Sequence, residues 1–253
     1  MVTFVWGLYK QRLNPNQIVK DWSIISWSAK WLFESDIMGE VVRGDEANAR
    51  EDWRIISEAW HLLDEADILI GQNVQSFDRR KLNARFILAG HPPPSSYQVI
   101  DTLKVSQKNF AFASHKLDYL GQLLLNKKKI KTDYDLWKRC VNEEMFTTEE
   151  DQEDALQEML HYNKGDVLLT EEVYLELRPW ITSHPNLGLY VSGTGEVCAN
   201  CGSKVELSDD KKYYTPAGRF KSYRCGDCGA IGRSRYSDLK DDERKQLLVG
   251  VAR

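Results

Sequence analysis

The stretch Asp67-Ile68-Leu69-Ile70-Gly71-Gln72-Asn73-Val74-Gln75-Ser76-Phe77-Asp78 decides how the chain folds. Its apolar run Ile68–Ile70 breaks at Gly71 into a polar turn holding Asn73. Asp78 then opens a helical pattern carrying Leu82, Phe86 and Ala89, which ends at Gly90 before Pro92-Pro93-Pro94. A buried strand that hands a carboxylate to a helix start is the plain reading. A second buried strand, Tyr97–Ile100, runs directly into Asp101-Thr102-Leu103, where Asp101 caps the next helix. Strand, helix, strand, helix places these two strands parallel in an α/β fold.

Working outward, Thr3–Tyr9 and Trp22–Phe33 are rich in aromatic and β-branched residues on either side of Leu13-Asn14-Pro15-Asn16. They read as adjacent strands. Asp45–Glu65 shows helical spacing in Ile56, Ala59, Trp60 and Leu63. Three further helical segments follow: Lys116–Leu125, Asp135–Met145 and a long one over about Thr148–Trp180. Between the first two lies Lys127-Lys128-Lys129-Ile130-Lys131, a charge run expected to form a solvated loop, with phosphate contact near a nucleic-acid groove as the alternative. In the long helix Tyr162 and Asp166 stand four residues apart, on one face.

The 253 residues are 42% hydrophobic, enough for a true core. No apolar run approaches the ~18–20 residues of a membrane span, and no signal pattern opens the chain, so a cytoplasmic location is expected. The net charge of -4 is unevenly spread. Residues 198–236 hold eight Lys/Arg against four Asp/Glu, so a basic appendage follows an acidic body. The boundary is expected near Gly193, giving a body over 1–192, an appendage over 193–236 and a charged helical tail over 237–253.

Four of five cysteines form the pairs Cys198-x2-Cys201 and Cys225-x2-Cys228, separated by 23 residues. That spacing reads as a zinc ribbon: each pair wraps one side of a tetrahedral ion, and Gly202 and Gly229 permit the tight turns. With all four ligands supplied by protein, the zinc is structural. Cys140 stands apart and reads as a small buried hydrophobe. Between the pairs, Lys211-Lys212-Tyr213-Tyr214 and Arg219-Phe220-Lys221-Ser222-Tyr223-Arg224 flank a Thr215-Pro216-Ala217-Gly218 turn. This is a hairpin alternating cations with rings. Lys221 and Arg224 are its candidate phosphate contacts, with aromatic cover for the zinc as the competing role.

Asn73-x3-Phe77-Asp78 and Tyr162-x3-Asp166 occur in order on a strand-to-helix turn and on a late helix. Together with Ile100-Asp101-Thr102-Leu103 and His115-Lys116-Leu117-Asp118-Tyr119-Leu120, they make residues 1–180 resemble the DEDD-type 3′–5′ exonucleases, in the subgroup with tyrosine in its last motif. The likeness is strongest to phage and bacterial proteins related to the proofreading domain of family B DNA polymerases. It implies an RNase H-like mixed sheet flanked by helices and a two-metal (magnesium or manganese) hydrolysis of terminal phosphodiesters of DNA, with RNA left open. Asp78 and Asp166 would be metal ligands and Tyr162 would orient the attacking water. Asn73 would shape the turn or meet the terminal nucleotide, and Phe77 would contact substrate. A replication or repair protein is the implied partner class.

One departure stands against the agreements. The family's first motif, Asp-x-Glu, is not found before the strand beginning near Thr3, and Glu34-Ser35-Asp36 has the residue types in reversed order after a later strand. The expectation is therefore weak exonuclease activity, with a catalytically degenerate nucleic-acid-binding or scaffolding protein as the alternative.

Overall fold

A computed structural model describes residues 2–3, 18–130, 132, 134–141, 148–191, 195–248 and 250, and divides the chain into two compact units, residues 1–174 and 175–253. Gly193, where the boundary was expected, lies outside the described residues, as do the strand expected at Thr3–Tyr9 beyond Thr3 and the helix expected at Asp135–Met145 beyond Val141.

The first unit is mixed α/β. A short pair β1 (Val2–Thr3) and β2 (Ile18–Lys20) is antiparallel, as is β3 (Ser26–Ala29) with β4 (Met38–Val41). Strand β3 is shorter than the Trp22–Phe33 expectation for two reasons. Ile24 donates its N–H to Asp52 Oδ2 at 2.7 Å rather than to a strand, and Glu34 N–H bonds to Trp31 O to close a turn through Phe33 in the left-handed region. The helix expected over Asp45–Glu65 is two, α1 (Gly44–Ala49) and α2 (Trp53–Glu65), broken where Arg50 adopts φ +64°.

The decisive stretch behaves as read. Strand β5 (Ile68–Gly71) pairs in parallel with β6 (Gln98–Asp101), joined through α3 (Asp78–Leu88). Helix α4 (Thr102–Asn109) follows β6 directly, then α5 (Leu117–Leu125), α6 (Tyr134–Cys140) and the 29-residue α7 (Glu149–Leu177). Among the described residues the body's strands pair two by two rather than as one continuous sheet. The residues of β5 are consequently half-buried despite their apolar run.

The core gathers Ile55, Ile56, Ala59 and Leu63 of α2, Phe86 of α3, Leu136 and Cys140 of α6, and Ala155, Leu156 and Met159 of α7. The helical spacing of the α2 residues puts them on one stripe, and each large aliphatic side chain removed from water contributes about 1.5–3 kcal/mol. Cys140 is fully buried as expected, its Sγ donating to Ala155 O at 3.3 Å, and burial pushes the thiol up to about 11. Inside the same unit Arg85 closes on Asp52 at 2.5 Å with both side chains almost wholly buried. Among the described residues no helix is long and apolar enough to cross a membrane.

In the second unit, β7 (Ser208–Thr215), β8 (Gly218–Arg224) and β9 (Ile231–Arg233) form an antiparallel sheet in that order. The hairpin read between the cysteine pairs is β7–β8. The tail contributes a five-residue helix, α8 (Asp241–Lys245).

Candidate metal centre and carboxylate site

The four-cysteine centre assembles from two matching turns. In each, the first cysteine donates its N–H to the carbonyl five residues on (Cys198 to Ser203 O, Cys225 to Ala230 O, both 2.8 Å). The glycine four residues on donates back to that cysteine's carbonyl (Gly202 at 2.8 Å, Gly229 at 3.0 Å). Both glycines sit at φ +77°, the left-handed conformation that a side chain would strain. The four sulfurs lie within 4.8 Å of one another, with Cys198–Cys228 at 3.7 Å and Cys201–Cys225 at 3.5 Å.

Sulfurs bound to one tetrahedral zinc at about 2.3 Å would stand about 3.8 Å apart. The cluster is therefore compatible with a metal such as zinc. Burial pushes the Cys198 and Cys228 thiols up. Cys201 comes down to about 7, because hydrogen bonds at Ser203 and from the neighbouring thiols outweigh its burial. Behind the cysteines, Tyr223 is buried, its hydroxyl accepting the Ala199 N–H at 3.0 Å. Its ring crosses Gly232, where even a Cβ would collide with it.

In the first unit the turn between β5 and α3 is held by Asp101. Its Oδ1 accepts from Asn73 N–H (2.9 Å), Leu103 N–H (3.1 Å) and Lys104 N–H (3.4 Å), and its Oδ2 from Gln75 N–H (3.2 Å). Asp101 is buried and does more than the expected capping of α4, since it also fixes the loop ahead of Asp78. Asn73 sits at φ +60° and its carbonyl accepts from Ser76 and Phe77, so it shapes the turn. Gly71 lets Val74 fold back, for a Cβ there would lie 2.8 Å from that side chain. Asp78 is the first residue of α3 and Phe77 presents an exposed ring beside it. The Asp78 side chain still reaches water, yet protein crowds around its carboxyl. That burial, with the charge of Asp101 as a lesser contribution, pushes its pKa up.

Tyr162 and Asp166 share a face of α7, as their spacing requires, and Lys129 lies between them. Its Nζ is 2.8 Å from Asp166 Oδ2 and 4.5 Å from the centre of the Tyr162 ring. Burial works against the Lys129 cation, but Asp166 and Tyr162 outweigh it and hold the ammonium up. Burial also pushes Asp166 up in spite of Lys129. Asp166 Oδ1 is buried with no hydrogen-bond partner; the Tyr162 hydroxyl is near enough to favour the ionised form but is not in hydrogen-bonding geometry with that oxygen.

Residues 127–130 form the solvated loop the charge run suggested, with Lys127, Lys128 and Ile130 exposed, but the loop is anchored to α5 and α7. Lys127 pairs with Glu172 at 2.6 Å, Lys129 N–H donates to Asp118, and Ile130 rests against Gly165, where a Cβ would come within 2.6 Å. Sequence reasoning missed Lys129, although Gly165 inside Tyr162-x3-Asp166 was a signal that something approaches the helix closely there.

No hydrogen bond or ion pair joins Asp78 to Asp166. Among the described residues no group of three or more carboxylates reaches the spacing of a shared ion; the four cysteines do. Two surface grooves, one by Trp27, Met38 and His61 and one by Phe86, His91 and Pro92–Pro94, do not include Asp78, Tyr162 or Asp166. Of the candidate phosphate contacts, Lys221 pairs with Asp209 at 2.5 Å, and Arg224 donates to Gly229 O at 3.3 Å while its side chain remains exposed. No protein-family model and no curated protein matches the chain.

Proposed function

We propose that this chain is a 3′–5′ exonuclease-like protein with an RNase H-like body and a structural zinc ribbon, acting weakly on terminal phosphodiesters of DNA and, by the same chemistry, of RNA. The observation that carries the reading is Asp166 Oδ1, buried without a partner on the helix face it shares with Tyr162. A buried carboxylate oxygen left without a donor is costly, and a cation is the group that relieves it. Magnesium or manganese, when bound, would polarise the scissile phosphate and ease ionisation of water.

Asp166 and Asp78 would hold that ion, and the Tyr162 hydroxyl would orient the attacking water. Phe77 would stack on the terminal base beside the Asn73 turn. Lys129 already neutralises Asp166, so a divalent ion must displace that contact before it binds, which is why slow chemistry is expected. The Lys129–Asp166 ion pair favours a second reading, in which an internal cation has replaced the metal and the protein binds nucleic acid without cutting it.

The two readings part in one assay. The full chain is incubated with 5′-labelled single-stranded DNA and manganese or magnesium. A slow ladder shortening from the 3′ end, lost in Asp166→Ala, supports the exonuclease. Binding with no shortening, even at protein excess, supports the second reading and rejects the first.

A further inference from the structure

We infer that the β7–β8–β9 sheet binds single-stranded nucleic acid with the face carrying Tyr213, Phe220, Arg224 and Arg233, and not with the face carrying Lys221. This deepens the proposal that the protein acts on nucleic acid and rests on it. Directly opposed residues of an antiparallel pair share a face, and residues two apart along a strand do too. Tyr213 opposes Phe220, Ser222 opposes Arg233, and Arg224 opposes Ile231, so these side chains line one face. Lys212 opposes Lys221, Tyr214 opposes Arg219, and Tyr223 opposes Gly232, which defines the other.

The faces differ in how their cations are balanced. On the face of Lys221 every cation has an acid: Lys212 and Arg219 share Asp238 at 3.0 and 2.9 Å, and Lys221 holds Asp209. This face also buries Tyr223 against the cysteines. On the opposite face, among the described residues, neither Arg224 nor Arg233 forms an ion pair, and both are exposed. Arg233 lies 4.0 Å over the Phe220 ring and 5.7 Å from that of Tyr213, itself 48% exposed.

Two exposed arginines outside any ion pair therefore share a face with flat rings, on the side of the sheet opposite Tyr223 and the cysteines it packs against. Rings that accept any base, with exposed guanidinium groups on the same face for phosphates, fit an unpaired strand. In a duplex the base faces are stacked on one another and unavailable, so this surface discriminates against it.

The test is fluorescence anisotropy of the zinc-loaded full chain with a labelled oligothymidylate of about 16 nucleotides, the upper range of a single-strand site. Divalent ions are omitted and no chelator is added, so that nothing is cut and the zinc stays bound. The double variant Phe220→Leu/Arg233→Gln should weaken binding roughly tenfold or more. Its salt dependence should be shallower by about one unit for the arginine removed. Lys221→Gln should stay within about twofold of wild type, since its charge is already met by Asp209.

Zinc content confirms that the ribbon is intact; if the double variant loses zinc, Arg224→Gln/Arg233→Gln, which keeps the ring, gives the answer by the same criterion. Equal loss in Lys221→Gln, wild-type affinity in the arginine variants, or duplex bound as tightly as single strand would each overturn the assignment. So would absence of binding to any nucleic acid at low salt, which would point to a protein partner. Binding without digestion in the exonuclease assay rejects only the exonuclease, whereas digestion with unchanged affinity in the double variant rejects only this surface.

Discussion

Asp101→Asn is the substitution that best separates the scaffold of the carboxylate site from its chemistry. The aspartate accepts four backbone N–H groups, three on Oδ1 and one on Oδ2. An asparagine can keep its oxygen toward Asn73, Leu103 and Lys104, but its amide nitrogen then faces the Gln75 N–H, donor against donor. One charge-assisted hydrogen bond is lost, a contribution of about 1.5–3 kcal/mol, and the remaining three weaken from charged to neutral acceptors. Because such contributions are not additive, a total of about 3 kcal/mol is expected, within the upper range for a single buried polar change.

Urea unfolding followed by tryptophan fluorescence is the assay, and seven of the eight tryptophans precede residue 175, so it reports on the first unit. With a slope of about 2 kcal/mol per molar urea, the midpoint should fall about 1.5 M. The amides of Asn73 and Gln75 should also lose protection from hydrogen exchange. Removing the neighbouring charge should let the Asp78 carboxyl fall toward the ordinary range while burial still holds it above. A midpoint shift below about 0.3 M, or retained protection at Asn73 and Gln75, would refute the role assigned to Asp101.

Other expectations follow from the same contacts. Lys129→Met takes the cation from Asp166, so the carboxyl should rise further and manganese should bind about tenfold more tightly, the equivalent of one half-buried ion pair; line broadening at the Gly165 and Asp166 amides would measure it, and unchanged affinity would mean that Lys129 does not compete for the site. Gly232→Ala forces the Tyr223 ring off its seat and should destabilise the ribbon by about 2–4 kcal/mol, seen as zinc released to a dye at lower urea. Chelation of the metal should unfold the β7–β8–β9 sheet while leaving the tryptophan signal of the first unit close to that of the loaded protein. Arg85→Met strands the buried Asp52 carboxylate and should cost about 3–5 kcal/mol in the same urea assay.

Some of this was legible from residue order. The break at Gly71 and the helix start at Asp78 are local matters of chain stiffness, and they fixed β5, α3 and β6 to within a residue or two. The paired cysteines with following glycines carry their own turn geometry, so the four-cysteine cluster could be read with no knowledge of what surrounds it. The break at Arg50 was not legible, because it depends on Asp52 being drawn to Arg85 and to the Ile24 N–H, partners 33 and 28 residues away.

The sequence by itself determined which cysteines can share a metal, where the strand-to-helix turn falls, and that Tyr162 and Asp166 share a helix face, because local spacing sets all three. Tertiary structure alone decided the electrostatic company those residues keep. Lys129 arrives from a loop over 30 residues upstream of Asp166, Asp101 reaches back across the β5–β6 pair to hold the Asn73 turn, and Asp209 and Asp238 neutralise one face of the ribbon while leaving the arginines of the other unpaired. Charges act through space over a few ångströms, and no pattern along the chain specifies which distant side chains will come that close.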